Sequence, residues 1–356
     1  MTSEDRLMAD QNDGSSADSS ESPRATGNTP SKDYDDAGAG GRVRRVLAAR
    51  ESGLAAVLIL VILFLVWRSP YFLTESNLTV VGRQIAMALL ISIGMTFVIV
   101  SGQIDLSVGS VVALVSILTG EFMVTLNLPP VLAILLALLS GAVVGLVNGT
   151  IIAGSMIPSF VVTLGMLAVA RGLSLGITGG QTISGFPQGF LTLGQGSALG
   201  VPIPVWIAAA AAVIAHVVLT RTAFGRHVYF LGSNEEAAVL SGIRVRRIKV
   251  AIFTIAATLA ATEAVIETAR LSVGQPAAGQ GYELLAIGAV VIGGANLFGG
   301  EGSILGTVLG TALLGLIQDG LILLDISAYW QQVFSGAIIV IAVGLNMWRR
   351  QRQGRA

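Results

Sequence analysis

Among the charged side chains in or beside long apolar runs, five are candidates for chemistry: Asp105, Arg171, Glu263, Glu267 and Glu283. A charge at membrane depth is costly to hold, so such groups line a solute or proton path or pair with one another. Glu263 and Glu267 lie one helical turn apart, on one face. Asp105 precedes an apolar run in Ser101-Gly-Gln-Ile-Asp-Leu-Ser-Val-Gly-Ser110. That placement is read first as a helix N-cap accepting free amide hydrogens, and Glu283 offers the same choice between cap and path. The sequence does not say which of these groups meet.

Other chemistry is missing from the residue inventory. There is no cysteine, and the two histidines, His216 and His227, sit apart. No thiolate, nucleophile–base couple or metal cluster is therefore visible. Lysine occurs only at Lys32 and Lys249, neither in a G-x-x-x-x-G-K-[ST] phosphate loop. An intramembrane enzyme and an ATP site of the chain's own are both disfavoured. No cofactor, metal or nucleic-acid partner is expected.

The elements that must position the charged groups are membrane spans. Of 356 residues, 53% are hydrophobic and 12% charged, against roughly 25% charged in a soluble domain. Too little polar surface remains to face water all round, so lipid must be most of the solvent. Apolar runs of about 20 residues cross the hydrocarbon. They are read near 53–70, 84–101, 106–126, 130–153, 158–178, 203–220, 250–269, 284–298, 303–324 and 330–347. Residues 1–41 are polar and rich in Ser, Asp and Gly, a disordered tail ahead of a membrane domain over 42–356. They hold no apolar signal-peptide core, so the first span is expected to direct insertion.

Basic residues orient the spans. Arg42, Arg44, Arg45 and Arg50 precede the first span. Arg221, Arg226, Arg244, Arg246, Arg247 and Lys249 lie in the loop 221–249, and Arg349, Arg350, Arg352 and Arg355 follow the last span. These clusters share one side only if the number of spans is even, and that side is then the cytoplasm, with both termini.

A weak repeat relates Gly145–Phe160 to Gly315–Trp330, and Gln103–Gly109 more loosely to Gly281–Gly288. The copies fall on opposite sides, so spans 2–5 and 7–10 read as two inverted repeats. Glycines recur every fourth position at Gly141, Gly145, Gly149 and at Gly302, Gly306, Gly310. Such grooves admit a neighbouring backbone, within the bundle or, alternatively, at a subunit interface. In the basic loop, Asn234 can cap a short helix opened by Glu235 and Glu236, extended by Ala237, Ala238, Val239 and Leu240, and ended by Gly242. A capped helix between basic flanks suits docking of a cytoplasmic partner.

Several of these runs resemble one family. Gly94–Leu114, Gly232-Ser-Asn-Glu-Glu-Ala-Ala-Val-Leu-Ser-Gly-Ile243, Gln275–Gly294 and Gly299-Gly-Glu-Gly-Ser303 are similar, in order and spacing, to ribose-type permeases of ATP-binding-cassette importers. The resemblance covers about residues 54 to 347. It implies an all-α, polytopic transmembrane bundle of about ten helices, of the type II importer kind, in the bacterial inner membrane. It also implies a homodimeric permease with two partners: a cytoplasmic ATPase that alone binds ATP and magnesium, and a periplasmic or lipid-anchored sugar-binding protein. The binding protein is expected on the stretch Gln181 to Pro204, and the ATPase on the segment from Gly232 to Gly242. Asn148, Thr163, Gln181 and Gln318 are candidate hydrogen-bonding groups along a sugar path. A branched-chain amino-acid permease is the nearest alternative, set aside because the Asp105 and Gly281-Tyr-Glu283 segments look sugar-like.

Overall fold

The computed structural model describes residues 40–327 and, beyond them, residues 329–331, 333–334, 336–337, 340–341 and 344, with side chains from residue 51. The tail over 1–39, the terminal arginines and much of the tenth expected span lie outside the described residues. The chain divides into two compact units, 1–43 and 44–356, and apart from the first residues of α1 the second holds everything that follows.

Its helices are α1 (Gly40–Arg68), α2 (Glu75–Val100), α3 (Val108–Gly120), α4 (Pro130–Gly154), α5 (Ser159–Thr178), α6 (Gln188–Gln195), α7 (Ile203–Arg221), α8 (Ala223–Ser233), α9 (Glu235–Leu240), α10 (Val245–Leu271), α11 (Tyr282–Ile292) and α12 (Ile304–Leu323). Among the described residues, four two-residue strands accompany them: β1 (Ile183–Ser184), β2 (Ser197–Ala198), β3 (Val201–Pro202) and β4 (Val273–Gly274). β1 pairs antiparallel with β4, and β2 with β3. The α3 span is extended by a π-helical turn over Glu121–Thr125.

Among the described residues, eight helices are long and apolar enough to cross a membrane: α1 from Glu51, α2, α3 with its π turn, α4, α5, α7, α10 and α12. This makes the chain a multi-pass membrane protein. The expected eighth span, 284–298, is corrected: only the 11 residues of α11 are helical there, about 16 Å at 1.5 Å per residue. The reason is local. Pro276 lacks an amide hydrogen, and Gly279 and Gly281 adopt φ of 66° and 84°, so no helix begins before Tyr282. The chain over 272–281 that leads into α11 is not helical.

α10 sits at the centre, packed on α2, α3 and α4, while α2 also meets α7, α11 and α12. α1, α4, α5 and α7 turn aliphatic side chains outward, among them Leu60, Leu135, Leu164 and Val213. Trp67, Tyr71, Trp206, Tyr329 and Trp330 are exposed near the same end of the bundle, an aromatic belt of the kind that sits at a membrane–water boundary. Both glycine stripes are used inside the protomer. A Cβ on Gly145 would lie 2.8 Å from Thr254 Cα in α10, and one on Gly310 would lie 2.8 Å from the Gly293 nitrogen after α11.

Candidate functional site

Two irregular segments enter the bundle from opposite ends and meet on α5. The first, 101–107, climbs one end of that helix: Ile104 donates its N–H to Ser159 Oγ and Leu106 donates to Thr163 Oγ1, both at 3.1 Å. The second, 272–281, descends from the other end. Gln275 donates its N–H to Ser116 Oγ at 3.2 Å, and Ser174 Oγ donates to the Pro276 carbonyl at 3.3 Å. Arg171 then donates to the carbonyls of Pro276 and Ala278 at 2.8 and 2.9 Å, and reaches the Gly109 carbonyl at 3.5 Å. Ser159, Thr163, Ala170 and Ser174 form the buried stripe of α5. A backbone that leaves the helix inside a membrane must find such partners, because lipid offers none.

The starts of α3 and α11 touch at glycine. A Cβ on Gly109 would collide with Gly279 O and Glu283 Oε2, so the close approach requires the bare backbone. Arg171 is reached after about 18 Å of a helix about 30 Å long, so this meeting point lies near mid-depth. Beside it opens a cleft of about 370 Å³ lined by Leu167, Arg171, Leu175, Pro276, Ala277, Gln280 and Glu283. Gln280 is exposed and Glu283 half-buried.

Of the sequence candidates, only Arg171 and Glu283 line this cleft. Asp105 does not cap α3; its Oδ1 accepts the N–H and the Oγ–H of Ser107 at 2.8 and 2.6 Å, stiffening the turn before the helix. Nor does Glu283 cap α11: it lies in the first turn, behind Gly281. Asn148 is buried and donates to Ser107 Oγ at 3.0 Å, so it and Thr163 hold the first irregular segment. Gln181 is exposed just past α5. Gln318 lines a separate cavity of about 150 Å³ with Gln84, Arg270 and Tyr282. Glu267 Oε1 accepts the Tyr282 hydroxyl at 3.0 Å, while Glu263 is wholly buried with neither oxygen bonded. Gln280 and the buried Asp319, which accepts from Asn77 at 3.1 Å, were not singled out by the sequence. The pointer to Gln280 was the Pro- and Gly-broken apolar run around it.

At the end carrying the basic loop, α9 forms as its capping residues dictate. Asn234 Oδ1 accepts the Ala237 N–H at 2.9 Å, and Gly242, at φ 76°, follows the last turn. Lys249 pairs with Glu235 at 2.7 Å. Ala238 is fully buried against the bundle, whereas Val239 and Leu240 are 57% and 88% exposed. The outward apolar surface is thus Val239 and Leu240. Gly232 also faces inward, between α8 and the chain around Val100 and Gly300. Tyr229 donates to Gly302 O at 2.7 Å, and burial pushes its phenol up to about 12, so it stays a donor.

At the opposite end, α6 and the β2–β3 hairpin form a cap over residues 188–202. Gln195 donates to Arg270 O at 3.1 Å and Ser272 Oγ at 2.9 Å. The β1–β4 pairing joins the chain that leads into this cap to the irregular segment that lines the cleft.

Residues 77–343 match the family described as branched-chain amino acid transport system / permease component. The chain is 39% identical over 306 residues to the ribose import permease protein of Haemophilus influenzae, covering 85% of this chain and 94% of that one. It is 44% identical over 280 residues to the ribose import permease protein of Bacillus subtilis, covering 78% and 87%. It is 35% identical over 288 residues to the D-allose transport system permease protein of Escherichia coli, covering 81% and 88%. No solved structure matches the chain. The chain belongs to this permease family, among its ribose-type members.

Proposed function

We propose that this permease is the membrane-spanning subunit of an ATP-driven importer for a monosaccharide, and that the solute passes the cleft between α5 and the two interrupted spans. The observation that carries the reading is the meeting of two helix breaks near mid-depth, beside exposed polar groups. Transporter sites built from discontinuous helices lie at such places. The cleft also bears on the solute. Arg171 is engaged by backbone carbonyls, which leaves Gln280 and Glu283 as the groups turned to a guest. Amide and carboxylate suit neutral hydroxyls. An amino-acid carboxylate would meet Glu283, and Arg171, the cation in the cleft lining, already spends its donors on backbone carbonyls.

Gln280 and Ala277 are exposed on the side of a single protomer. Hydrocarbon does not solvate an amide there, so a second copy closes the cleft into a water-filled path. The adjoining face of α5 has Gly165, Gly172 and Gly176 with open space before each, which admits a close partner helix. A cytoplasmic ATPase, which alone holds ATP and magnesium, seats on Val239 and Leu240. A sugar-loaded binding protein seats on the cap formed by α6 and the β2–β3 hairpin. Both termini lie in the cytoplasm of the bacterial inner membrane. The permease itself contributes recognition and movement, with no covalent step.

The test is uptake of labelled ribose and other monosaccharides by cells expressing Gln280→Leu or Glu283→Gln. One lost hydrogen bond to a charged group costs about 1.5–3 kcal/mol, so uptake should fall about tenfold or more while the ATPase stays attached. Unchanged uptake in the double variant removes the cleft from the path. Uptake of leucine in place of every sugar overturns the solute class.

A further inference from the structure

Three segments from distant parts of the sequence touch at one point on the end that carries α8 and α9. They are 100–102, 232–233 and 298–302. Gly300 donates its N–H to Val100 O at 2.8 Å. A Cβ on Gly232 would collide with Val100 O and lie 2.6 Å from the Gly300 nitrogen. One on Gly299 would lie 2.6 Å from Gly232 O and 2.8 Å from Gly102 Cα. At Gly232 and Gly299 the contact is therefore backbone against backbone, while the Ser233 side chain stands beside Gly300. Tyr229, on the last turns of α8, adds its bond to Gly302 O.

Each of the three segments leads to a part that must move if the cleft is to open. The first is the entry to the irregular chain before α3. The third joins α11 to α12, and α11 begins at the cleft. The second is the joint between α8 and α9, and α9 carries the exposed Val239 and Leu240. Gly232 lies inside the last turn of α8, where glycine is about 1 kcal/mol worse than alanine for the helix. Helix formation does not ask for glycine at that position; the contact does. A joint bare at Gly232 and Gly299 also transmits displacement well, because no flexible side chain there can absorb it.

The geometry points to Gly232 as a positioning residue: the place where a push on α9 enters both interrupted spans at once. This rests on the proposed ATPase partner. Gly232 would then act in coupling and not in holding the ATPase, which separates it from Leu240.

The experiment uses the permease reconstituted in vesicles with its ATPase and binding protein. In Gly232→Ala, the ATPase should remain bound and keep its basal ATP hydrolysis, while stimulation by loaded binding protein, which must cross the same joint, should fall. Sugar moved per ATP should fall about tenfold, as forced overpacking of a tight contact predicts. Normal uptake by Gly232→Ala overturns the inference. So does loss of the ATPase, which would put Gly232 in the docking surface. A second measurement is independent of that substitution. Spin labels on Ser233→Cys and Phe298→Cys, both exposed positions in a chain without cysteine, straddle the joint. Their separation should stay the same with and without a bound ATP analogue. A change of about 5 Å, one helical turn, means the joint parts and the inference fails. If the alanine variant does not accumulate, the label pair decides the matter. If the wild-type complex moves no sugar while the labels stay fixed, the importer reading has failed and the joint has not.

Discussion

Replacing Arg171 by Met keeps an unbranched stem, shorter than arginine's, and removes every donor. The carbonyls of Pro276 and Ala278 then lose bonds of 2.8 and 2.9 Å. Pro276 keeps only the 3.3 Å bond from Ser174. The Ala278 carbonyl, left unsatisfied, costs about 1–3 kcal/mol, and the Pro276 carbonyl, which keeps one bond, adds less. Relief of the guanidinium's own desolvation offsets part of this. Against a total stability of about 5–15 kcal/mol, the variant should melt earlier in detergent and transport poorly in membranes. Arg171→Lys keeps a charge and three donors on one nitrogen, without the planar fork that spans two carbonyls. It should fall between wild type and Met. Thermal unfolding followed by size-exclusion chromatography reads the first effect, and sugar uptake at matched abundance reads the second. If Arg171→Met is as heat-stable as wild type, the carbonyls do not depend on Arg171 and the clasp is wrongly drawn.

The other expectations concern the two ends of the bundle. Leu240→Asp should leave membrane abundance unchanged and weaken ATPase co-purification more than tenfold, since burying an apolar side chain of that size is worth about 1.5–3 kcal/mol and about 1.4 kcal/mol is one decade. Ala238→Asp should instead lower abundance, because it puts an unpaired charge into a fully buried site at a cost of about 3–5 kcal/mol. If Ala238→Asp accumulates normally and only docking suffers, α9 is turned the other way. For topology, single cysteines at Thr192, Ser233 and Gly354 should react with an impermeant reagent in intact cells only at 192. Labelling at 233 from outside reverses the orientation.

Most of the spans were legible because each is a hydrophobic run of membrane length. The Asn234 helix was legible because its cap, acidic first turn and closing glycine agree with one another. The cleft was not. Hydropathy reads 284–298 as one more span, since a broken crossing has the same composition as a whole one, and only Pro276, Gly279 and Gly281 betray it. The orientation of Ala238 was out of reach for a different reason. A six-residue helix carries too few apolar positions to define a face, so its buried side depends on what it packs against. The candidate path residues Asn148 and Thr163 were chosen as polar groups in apolar runs. The same character makes them partners for a segment that has left its helix: Thr163 accepts the Leu106 N–H, and Asn148 donates to Ser107 Oγ.

The chemistry of α5 follows from the direction in which each irregular segment runs. The first presents amide hydrogens to the helix, those of Ile104 and Leu106, so it needs acceptors, and Ser159 and Thr163 supply hydroxyl oxygens. The second presents carbonyls, those of Pro276 and Ala278, so it needs donors, and Arg171 and Ser174 supply them. Serine at 171 would reach one carbonyl at most, and arginine at 159 or 163 would offer nothing that an amide can use. The single arginine of α5 therefore marks the end where chain polarity turns oxygen inward. It leaves Glu283 and Gln280, and not the guanidinium, free to meet whatever enters the cleft.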